Sequence, residues 1–198
     1  MSISRESTYI ALGIMGFVLP LAFVAVAAAY SQWFNLVDNA LSDLGHATKS
    51  EVAPIFNLGL SLGGFIVGVY AICYVLPASR LFGCILAFSG YSLVLVAVFD
   101  EVYGILHFTV SVIFFLSLTA FMVTYAVCNK SWWAALGVVA GVVSWVLHFN
   151  YVIPRGAAIP ELVSIAAFIP FYVKLLDSRR LKVLNNRKDP SCGGPAGI

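Results

Sequence analysis

The chain has 198 residues, of which 61% are hydrophobic and 10% are charged, and its formal net charge is +2. Soluble domains carry roughly 25% charged residues, so a chain this apolar cannot cover a water-exposed surface and must contact a lipid bilayer. The composition excludes a soluble globular domain. There is also no basic groove interleaved with aromatic residues, so we expect no nucleic-acid partner.

Six apolar stretches follow one another along the chain. They cover residues 9–30, 54–76, 82–99, 105–127, 132–149 and 159–173. Each approaches the roughly 20 residues that an α-helix needs to cross the hydrocarbon core. We therefore expect an all-α membrane protein, in which residues 1–176 form a bundle of about six transmembrane helices. Residues 177–198 are polar and basic, and we expect them to form a flexible cytoplasmic tail.

The first connecting loop, residues 31–46, has the pattern of an amphipathic helix. At 100° per residue its apolar residues fall on one side and its polar residues on the other. Ser31 is a candidate N-cap, and Gly45 is a candidate stop signal. Two interpretations stay open: the helix lies in the membrane interface, or its polar face covers a cavity between the spans. The polar face holds Asn35, Asp38, Asn39, Ser42, Asp43 and His46.

The second apolar stretch has two faces of small residues spaced four apart. Gly59 and Gly63 form one face, and Gly64 and Gly68 form the other. Such faces let helix backbones approach closely. The pattern favours packing within the bundle over oligomerisation, although the oligomeric state is left open.

The basic residues predict how the chain is oriented. With six spans, nine of the eleven Lys and Arg residues fall on the side that holds both termini. Cytoplasmic segments are enriched in Lys and Arg, so we expect both termini in the cytoplasm and the protein in the plasma membrane. Six of the nine acidic residues fall on the opposite, outer side. The nine basic residues are Arg5, Arg80, Lys130, Lys174, Arg179, Arg180, Lys182, Arg187 and Lys188.

All three histidines fall at the outer edge of the predicted bundle. His46 ends the first loop, His107 begins the fourth span and His148 ends the fifth. Asp100 lies a few residues before His107, and Ser111 lies one helical turn after it. Polar side chains in a span are costly unless they face the bundle interior, so these groups indicate a functional site.

Three imidazoles with a carboxylate suit a zinc ion, whose open position would hold a water with its pKa lowered to about 7. The candidate ligands are His46, His107, His148 and Asp100. The candidate catalytic residues are Asp43 and Asp100, as general bases, and Ser42, as a neighbour of His46. Two other interpretations stay open: three interfacial histidines in contact with water, or proton transfer by the same groups.

Two segments resemble a known family. NALSDLGH at positions 39–46, followed by PIFN at 54–57, resembles a prokaryotic and archaeal membrane family known as domain of unknown function 998. FDE at 99–101 and His107 are similar to the second polar cluster of that family. The resemblance implies a multi-pass membrane fold and brings no activity.

A fainter similarity is to the membrane hydrolases that include alkaline ceramidases and adiponectin-type receptors. Those proteins carry Ser-x-x-x-His, an Asp and His-x-x-x-His around a zinc ion in a seven-span fold. Ser42 and His46 match the first element and Asp100 matches the second, whereas this chain has no His-x-x-x-His. As an analogy only, the similarity is consistent with a metal-dependent hydrolase that acts on a lipid or another amphiphile. The alternative is a proton- or small-molecule-handling transporter or channel, or an accessory subunit of a membrane complex.

Overall fold

The structure, a computed structural model, describes residues 5–176. These residues form six long helices. Each is long and apolar enough to cross a membrane, which confirms the all-α, multi-pass fold. The predicted tail at 177–198 lies outside the described residues. The helices are α1 (Arg5–Tyr30), α2 (Ala53–Tyr70, continued by a π-helical turn at Ala71–Val75), α3 (Arg80–Val98), α4 (Ile105–Asn129), α5 (Trp132–Tyr151) and α6 (Ala158–Leu175).

Glycines bring α1, α2 and α3 together. A Cβ on Gly63 would lie 2.6 Å from Pro20 Cγ of α1, and one on Gly64 would lie 2.6 Å from the carbonyl oxygen of Gly90 in α3. Side chains at these positions would force the helices apart. The two glycine faces of α2 therefore serve contacts within the bundle.

Tyrosine hydroxyls join α1, α2 and α6 near the chain termini. Tyr9 donates a hydrogen bond to the carbonyl oxygen of Leu175, and Tyr172 donates one of 2.9 Å to that of Gly13. Tyr70, which is fully buried, donates one of 3.1 Å to the hydroxyl of Tyr9. These bonds satisfy carbonyl groups inside the bundle and hold α6 against α1.

The first loop corrects the predicted extent of its helix. The continuous helix predicted over 31–46 is wrong, and the loop forms only a 3-10 helix at Leu41–Gly45. Side chains bind the backbone locally: Val37 N donates to Asn35 Oδ1 at 2.8 Å, Asn35 N to Asn39 Oδ1 at 2.9 Å, and Ala40 N to Asp43 Oδ2 at 2.9 Å. Such bonds compete with the helical pattern that the periodicity of the sequence predicts.

The second half of this loop packs onto one end of the bundle. Leu41 and Leu44 are buried, and Gly156 N, in the loop before α6, donates a 2.7 Å hydrogen bond to Val37 O. Asn57 Nδ2 of α2 donates to Gly45 O at 2.8 Å. Of the two predicted roles, the structure therefore favours a cover over the bundle. We call this end, where the loops α1–α2, α3–α4 and α5–α6 meet, the cavity end.

Candidate functional site

A cavity of about 580 Å³ opens at the cavity end, between α4, α5 and α6. We call it the polar cavity, because polar side chains of two loops and three helices line its mouth. The rest of its lining is mostly apolar, as at Val112, Phe115 and Val142, and includes the hydroxyl-bearing Thr119. An amphiphile has the same division between a polar head and an apolar chain. The polar side chains at the mouth are Ser42, His46, Lys49, Glu101, His107, Ser111, His148, Glu161 and Ser164.

Two of these side chains form a direct pair. Ser42 Oγ donates a hydrogen bond of 2.7 Å to Glu101 Oε1. Ser42 lies in the 3-10 helix Leu41–Gly45, and Glu101 begins a second 3-10 helix after α3. A hydroxyl and a carboxylate at this distance meet the requirement that a nucleophile lie within hydrogen-bond reach of its general base.

The surroundings of Glu101 raise the pKa of its carboxyl. Burial raises the pKa of its carboxyl from 4.5 to about 7, and the neighbouring Asp43 acts in the same direction. The hydrogen bond from Ser42 and the positive charge of Lys49 act against this rise in the pKa. A general base is most effective when its pKa lies near the working pH, so Glu101 suits catalysis near neutrality.

The two helical histidines that line the polar cavity use the same ring nitrogen to bind a backbone carbonyl oxygen. His107 Nδ1 lies 2.7 Å from Phe99 O, and His148 Nδ1 lies 3.0 Å from Pro154 O. A carbonyl oxygen only accepts, so each Nδ1 carries the proton and donates it. In the neutral imidazole Nε2 is then an acceptor, and that of His107 lies 3.3 Å from Ser111 Oγ. An imidazole held in this way can orient a polar ligand through Nε2.

Glu161 anchors the first connecting loop, residues 31–46, which we call the covering loop. Glu161 lies in the first turn of α6, is only 7% exposed, and accepts a 2.7 Å hydrogen bond from Leu41 N through Oε2. The bond caps the start of the 3-10 helix that carries Ser42. Glu161 also interacts electrostatically with Glu101 and Asp43, so three carboxyl groups share this region.

A second cavity, of about 130 Å³, lies deeper in the bundle between α1, α2, α3, α4 and α6. We call it the central cavity. Its lining is almost wholly apolar and extends as far as Tyr172 and Gly16. The two cavities adjoin each other, since both are lined by Ser42, Ser111, Phe115 and Glu161.

The chain was compared with protein families, curated proteins and solved structures. The family model described as Protein of unknown function (DUF998) matches residues 14–175, which include both motifs and five of the six helices in full. The chain belongs to the DUF998 family. This confirms the resemblance carried by the segments at 39–46 and 99–101. No curated protein and no solved structure matches the chain.

In this DUF998 protein the predicted site residues are only partly brought together. Ser42, His46, His107 and His148 line the polar cavity, and His46 Nδ1 lies 3.4 Å from Thr48 Oγ1. The two predicted catalytic aspartates do not line it. Asp43 accepts hydrogen bonds of 2.9 Å from Asn39 Nδ2 and Ala40 N, and Asp100 accepts one of 2.8 Å from Val102 N. Both carboxylates cap local backbone turns.

One feature of the structure is consistent with the predicted zinc ion, but the described residues do not form a set of ligands for it. Histidines that bind a metal usually donate their other ring N–H to a carbonyl or carboxylate, as His107 and His148 do. Among residues 5–176, however, no group of three or more His, Cys, Asp and Glu side chains is arranged to hold a metal ion. Zinc at this site therefore stays a prediction from the sequence.

The sequence places Glu101 and Glu161 at the same end of the bundle as the histidines, but no motif in it assigns either residue to the site. Glu101 meets Ser42 across 59 residues, and Glu161 meets Leu41 across 120, so no local motif reveals either pair. One signal was present in the sequence. Glu161 is an acidic residue inside an apolar stretch, where an ionisable side chain indicates function by default.

Proposed function

We propose that this DUF998 protein is a membrane hydrolase that cleaves an ester of an amphiphile. Ser42 is the nucleophile and Glu101 is its general base. The observation that carries the proposal is the 2.7 Å hydrogen bond between these two side chains at the mouth of the polar cavity. The polar mouth and apolar depth of that cavity suit a substrate with a polar head and a hydrocarbon part.

The proposed reaction has two steps. Ser42 Oγ attacks the carbonyl carbon of the ester, and its proton passes to Glu101. The bond to the leaving alcohol then breaks, the alcohol takes the proton from Glu101, and the acyl group stays on Ser42. In the second step water attacks the acyl group and gives a proton to Glu101, which returns it to Ser42 as the carboxylic acid leaves. Lys49, which lines the same cavity, supplies positive charge for the oxyanion.

We also propose that the cavity end faces away from the cytoplasm of a cell whose plasma membrane holds the protein. The charges of the described residues support this orientation. Among the Lys and Arg side chains that the structure describes, Arg80, Lys130 and Lys174 lie at the end opposite the cavity end, and two, Lys49 and Arg155, lie at the cavity end. Basic residues concentrate on the cytoplasmic side of membrane proteins.

A proton- or small-molecule-handling transporter, or an accessory subunit, is the other function that the sequence left open. A transporter needs polar groups along its path through the membrane. The cavity that continues from Glu161 toward α1–α3 has an almost wholly apolar lining. An apolar lining suits a hydrocarbon group better than a proton or a polar solute. It therefore favours the proposed hydrolase of an amphiphile over a transporter.

Labelling of the nucleophile tests the proposal. The full-length protein in phosphatidylcholine nanodiscs is treated with a fluorescent alkyl fluorophosphonate, which reacts covalently with an activated serine. We expect labelling at Ser42, confirmed by mass spectrometry of the peptide, together with hydrolysis of p-nitrophenyl octanoate. Both are lost in Ser42→Ala and persist in Ser144→Ala, because Ser144 is half-buried on α5 and donates to Gly141 O at 2.7 Å without lining the cavity. Hydrolysis that survives in folded Ser42→Ala would refute the assignment.

A further inference from the structure

The polar cavity also opens on the side of the bundle, between α4 and α5. Its lining includes both buried side chains and side chains on the outer surface of these two helices. Glu161 and His107 are 7% and 8% exposed, whereas Val142 on α5 is 49% exposed and Leu116 on α4 is 62% exposed. All four line the same cavity, so the cavity reaches the surface of the bundle. We call this opening the side slot, and its exposed lining residues are Phe108, Val112, Leu116, Val142 and Phe149.

The side slot lies within the membrane-spanning part of the bundle. α4 has 25 residues and is about 37 Å long, against a hydrocarbon core of roughly 30 Å. Leu116 lies about 16 Å from the start of α4 at Ile105, and Val142 lies about 13 Å from the end of α5 at Tyr151. Exposed side chains at that depth contact lipid rather than water. The rim of the side slot therefore borders the acyl chains of the bilayer.

The lining of the polar cavity changes from polar to apolar with depth in the membrane. His107 lies in the first turn of α4 and His148 in the last turn of α5, close to the level of the lipid headgroups. Thr119, further along α4, donates a hydrogen bond of 3.0 Å from its hydroxyl to Phe115 O. This hydroxyl is thus satisfied by its own helix. The deeper part of the lining suits a hydrocarbon chain.

The same change with depth is found in a leaflet of the bilayer, where polar headgroups lie above acyl chains. A lipid that moves sideways into the cavity keeps its polar head at the polar level and its chain at the apolar level. Its head does not have to cross the hydrocarbon core, where polar groups are strongly disfavoured. Ser42 and Glu101 belong to loops at the cavity end, so the reactive pair lies on the polar side of this division, next to the headgroup level.

We infer that the substrate is a lipid ester of the bilayer, and that it enters the polar cavity through the side slot from the leaflet at the cavity end. The inference rests on the proposed function and narrows its substrate from amphiphiles in general to membrane lipids. The headgroup and the ester occupy the polar cavity, whose volume of about 580 Å³ lies within the roughly 300–1,000 Å³ of small-molecule sites. The acyl chain follows the apolar lining and extends through the side slot into the bilayer, so the cavity does not have to enclose it.

Photocrosslinking tests entry through the side slot independently of catalysis. The full-length protein in phosphatidylcholine nanodiscs is irradiated with 1-O-hexadecylglycerol that carries a diazirine close to its ether oxygen, and the adducts are mapped by mass spectrometry. This probe has no ester and is not hydrolysed. We expect adducts on Glu161 and His107, which lipids around the bundle do not reach because both side chains are buried. Excess unlabelled hexadecylglycerol should remove these adducts.

Two neighbouring positions on α5 separate the side slot from the rest of the lipid-facing surface. Val142→Trp places a large ring in the slot and should lower the adducts on Glu161 roughly tenfold, because overpacking opposes entry of the lipid. Val143→Trp is the matched control, since Val143 is also 49% exposed but does not line the cavity, and it should leave the adducts unchanged. Leu116→Trp is a second blocking variant, on the α4 side of the slot.

Hydrolysis gives a second measurement of the same route. Monopalmitoylglycerol in the nanodisc reaches Ser42 through the side slot, whereas p-nitrophenyl acetate dissolves in water and reaches it from the mouth of the polar cavity. Both blocking variants should therefore lower the ratio of the two hydrolysis rates roughly tenfold, and Val143→Trp should keep it.

The outcomes separate this inference from the proposed reaction. Adducts that form only on exposed residues, or that both blocking variants leave unchanged, would overturn entry through the side slot even if the protein hydrolyses esters. Competable adducts on Glu161 that the blocking variants reduce, without any ester hydrolysis, would support the side slot and overturn the proposed reaction instead. Leu116→Trp keeps the comparison available if Val142→Trp fails to fold.

Discussion

Ser42 Oγ donates a hydrogen bond of 2.7 Å to Glu101 Oε1, although the two residues are 59 positions apart in the chain. Each residue lies in a short 3-10 helix at the cavity end of the bundle. The covering loop brings Ser42 to the polar cavity, and the turn after α3 brings Glu101 to the same cavity. The contact depends on how these two loops pack, and the following predictions concern the groups that hold them there.

Ester hydrolysis should depend on the protonation of Glu101. A general base must be deprotonated, and burial raises the pKa of Glu101 to about 7, so kcat/KM should rise with pH through about 7 and then level off. Glu101→Gln should lower kcat/KM by roughly 10²- to 10⁴-fold and remove this pH limb. Glu51→Gln, at an exposed residue outside the cavity, is the control and should keep the profile. A pH limb that persists in Glu101→Gln would show that another group is the base.

The same carboxyl should make stability depend on pH. Its pKa is 4.5 without the burial and about 7 in the folded protein, so between these values the folded state holds more protons than the unfolded state. The stabilisation from the protonated carboxyl is then present below pH 4.5 and is lost as the pH rises through about 7. Tm, followed by tryptophan fluorescence at pH 5 and pH 8, should fall more in the wild type than in Glu101→Gln. Equal falls would contradict the pKa assigned to Glu101.

Loss of the Glu161 carboxylate should loosen the covering loop. Glu161→Ala leaves the buried N–H of Leu41 without its acceptor, at a cost of about 1–3 kcal/mol. Hydrogen exchange at residues 37–46 should become faster, as measured by mass spectrometry on the protein in nanodiscs. Glu161→Gln keeps an acceptor oxygen and should show a smaller effect. If exchange in this segment is the same in Glu161→Ala and the wild type, the carboxylate does not anchor the loop.

Gly156 should tolerate no side chain. A Cβ there would collide with backbone atoms of Asn39, where the loop before α6 pairs with the covering loop. Gly156→Ala should destabilise the protein by about 1–3 kcal/mol, measured as a lower Tm, because the backbone must move. Gly141→Ala is the matched control, since its Cβ would meet Ser164 Oγ at an ordinary 3.7 Å. Alanine also favours the helix there, so a comparable loss of stability in both variants would argue against the close loop contact.

The helices were predictable because the signal for them is local. A run of about 20 apolar residues meets the length of the hydrocarbon core wherever it occurs in a chain. If the π-helical turn at Ala71–Val75 is counted with α2, the observed helices begin and end within four residues of the six predicted stretches. The spacing of Gly63 and Gly64 in α2 also predicted close helix packing correctly, since both residues belong to one helix and their spacing can be read from the sequence.

The covering loop shows where local pattern was misleading. Its periodicity fits a helix, but Asn35, Asn39 and Asp43 bind nearby backbone N–H groups and leave only a 3-10 helix. Periodicity records which side a residue faces and does not record such competing hydrogen bonds. Asp100 likewise accepts a local hydrogen bond from Val102 N, and its role as a metal ligand or general base stays a prediction from the sequence.

By itself, the sequence determined that the chain crosses a membrane in six helices and that all three histidines fall at one end of the bundle. Hydropathy and span count suffice for both, because they depend on each residue and its near neighbours. Only the tertiary structure decided that Ser42 meets Glu101 and that Glu161 holds the loop between them. A hydrogen bond and the burial that raises a pKa depend on groups brought together from distant parts of the chain, and the packing of the loops fixes which groups these are.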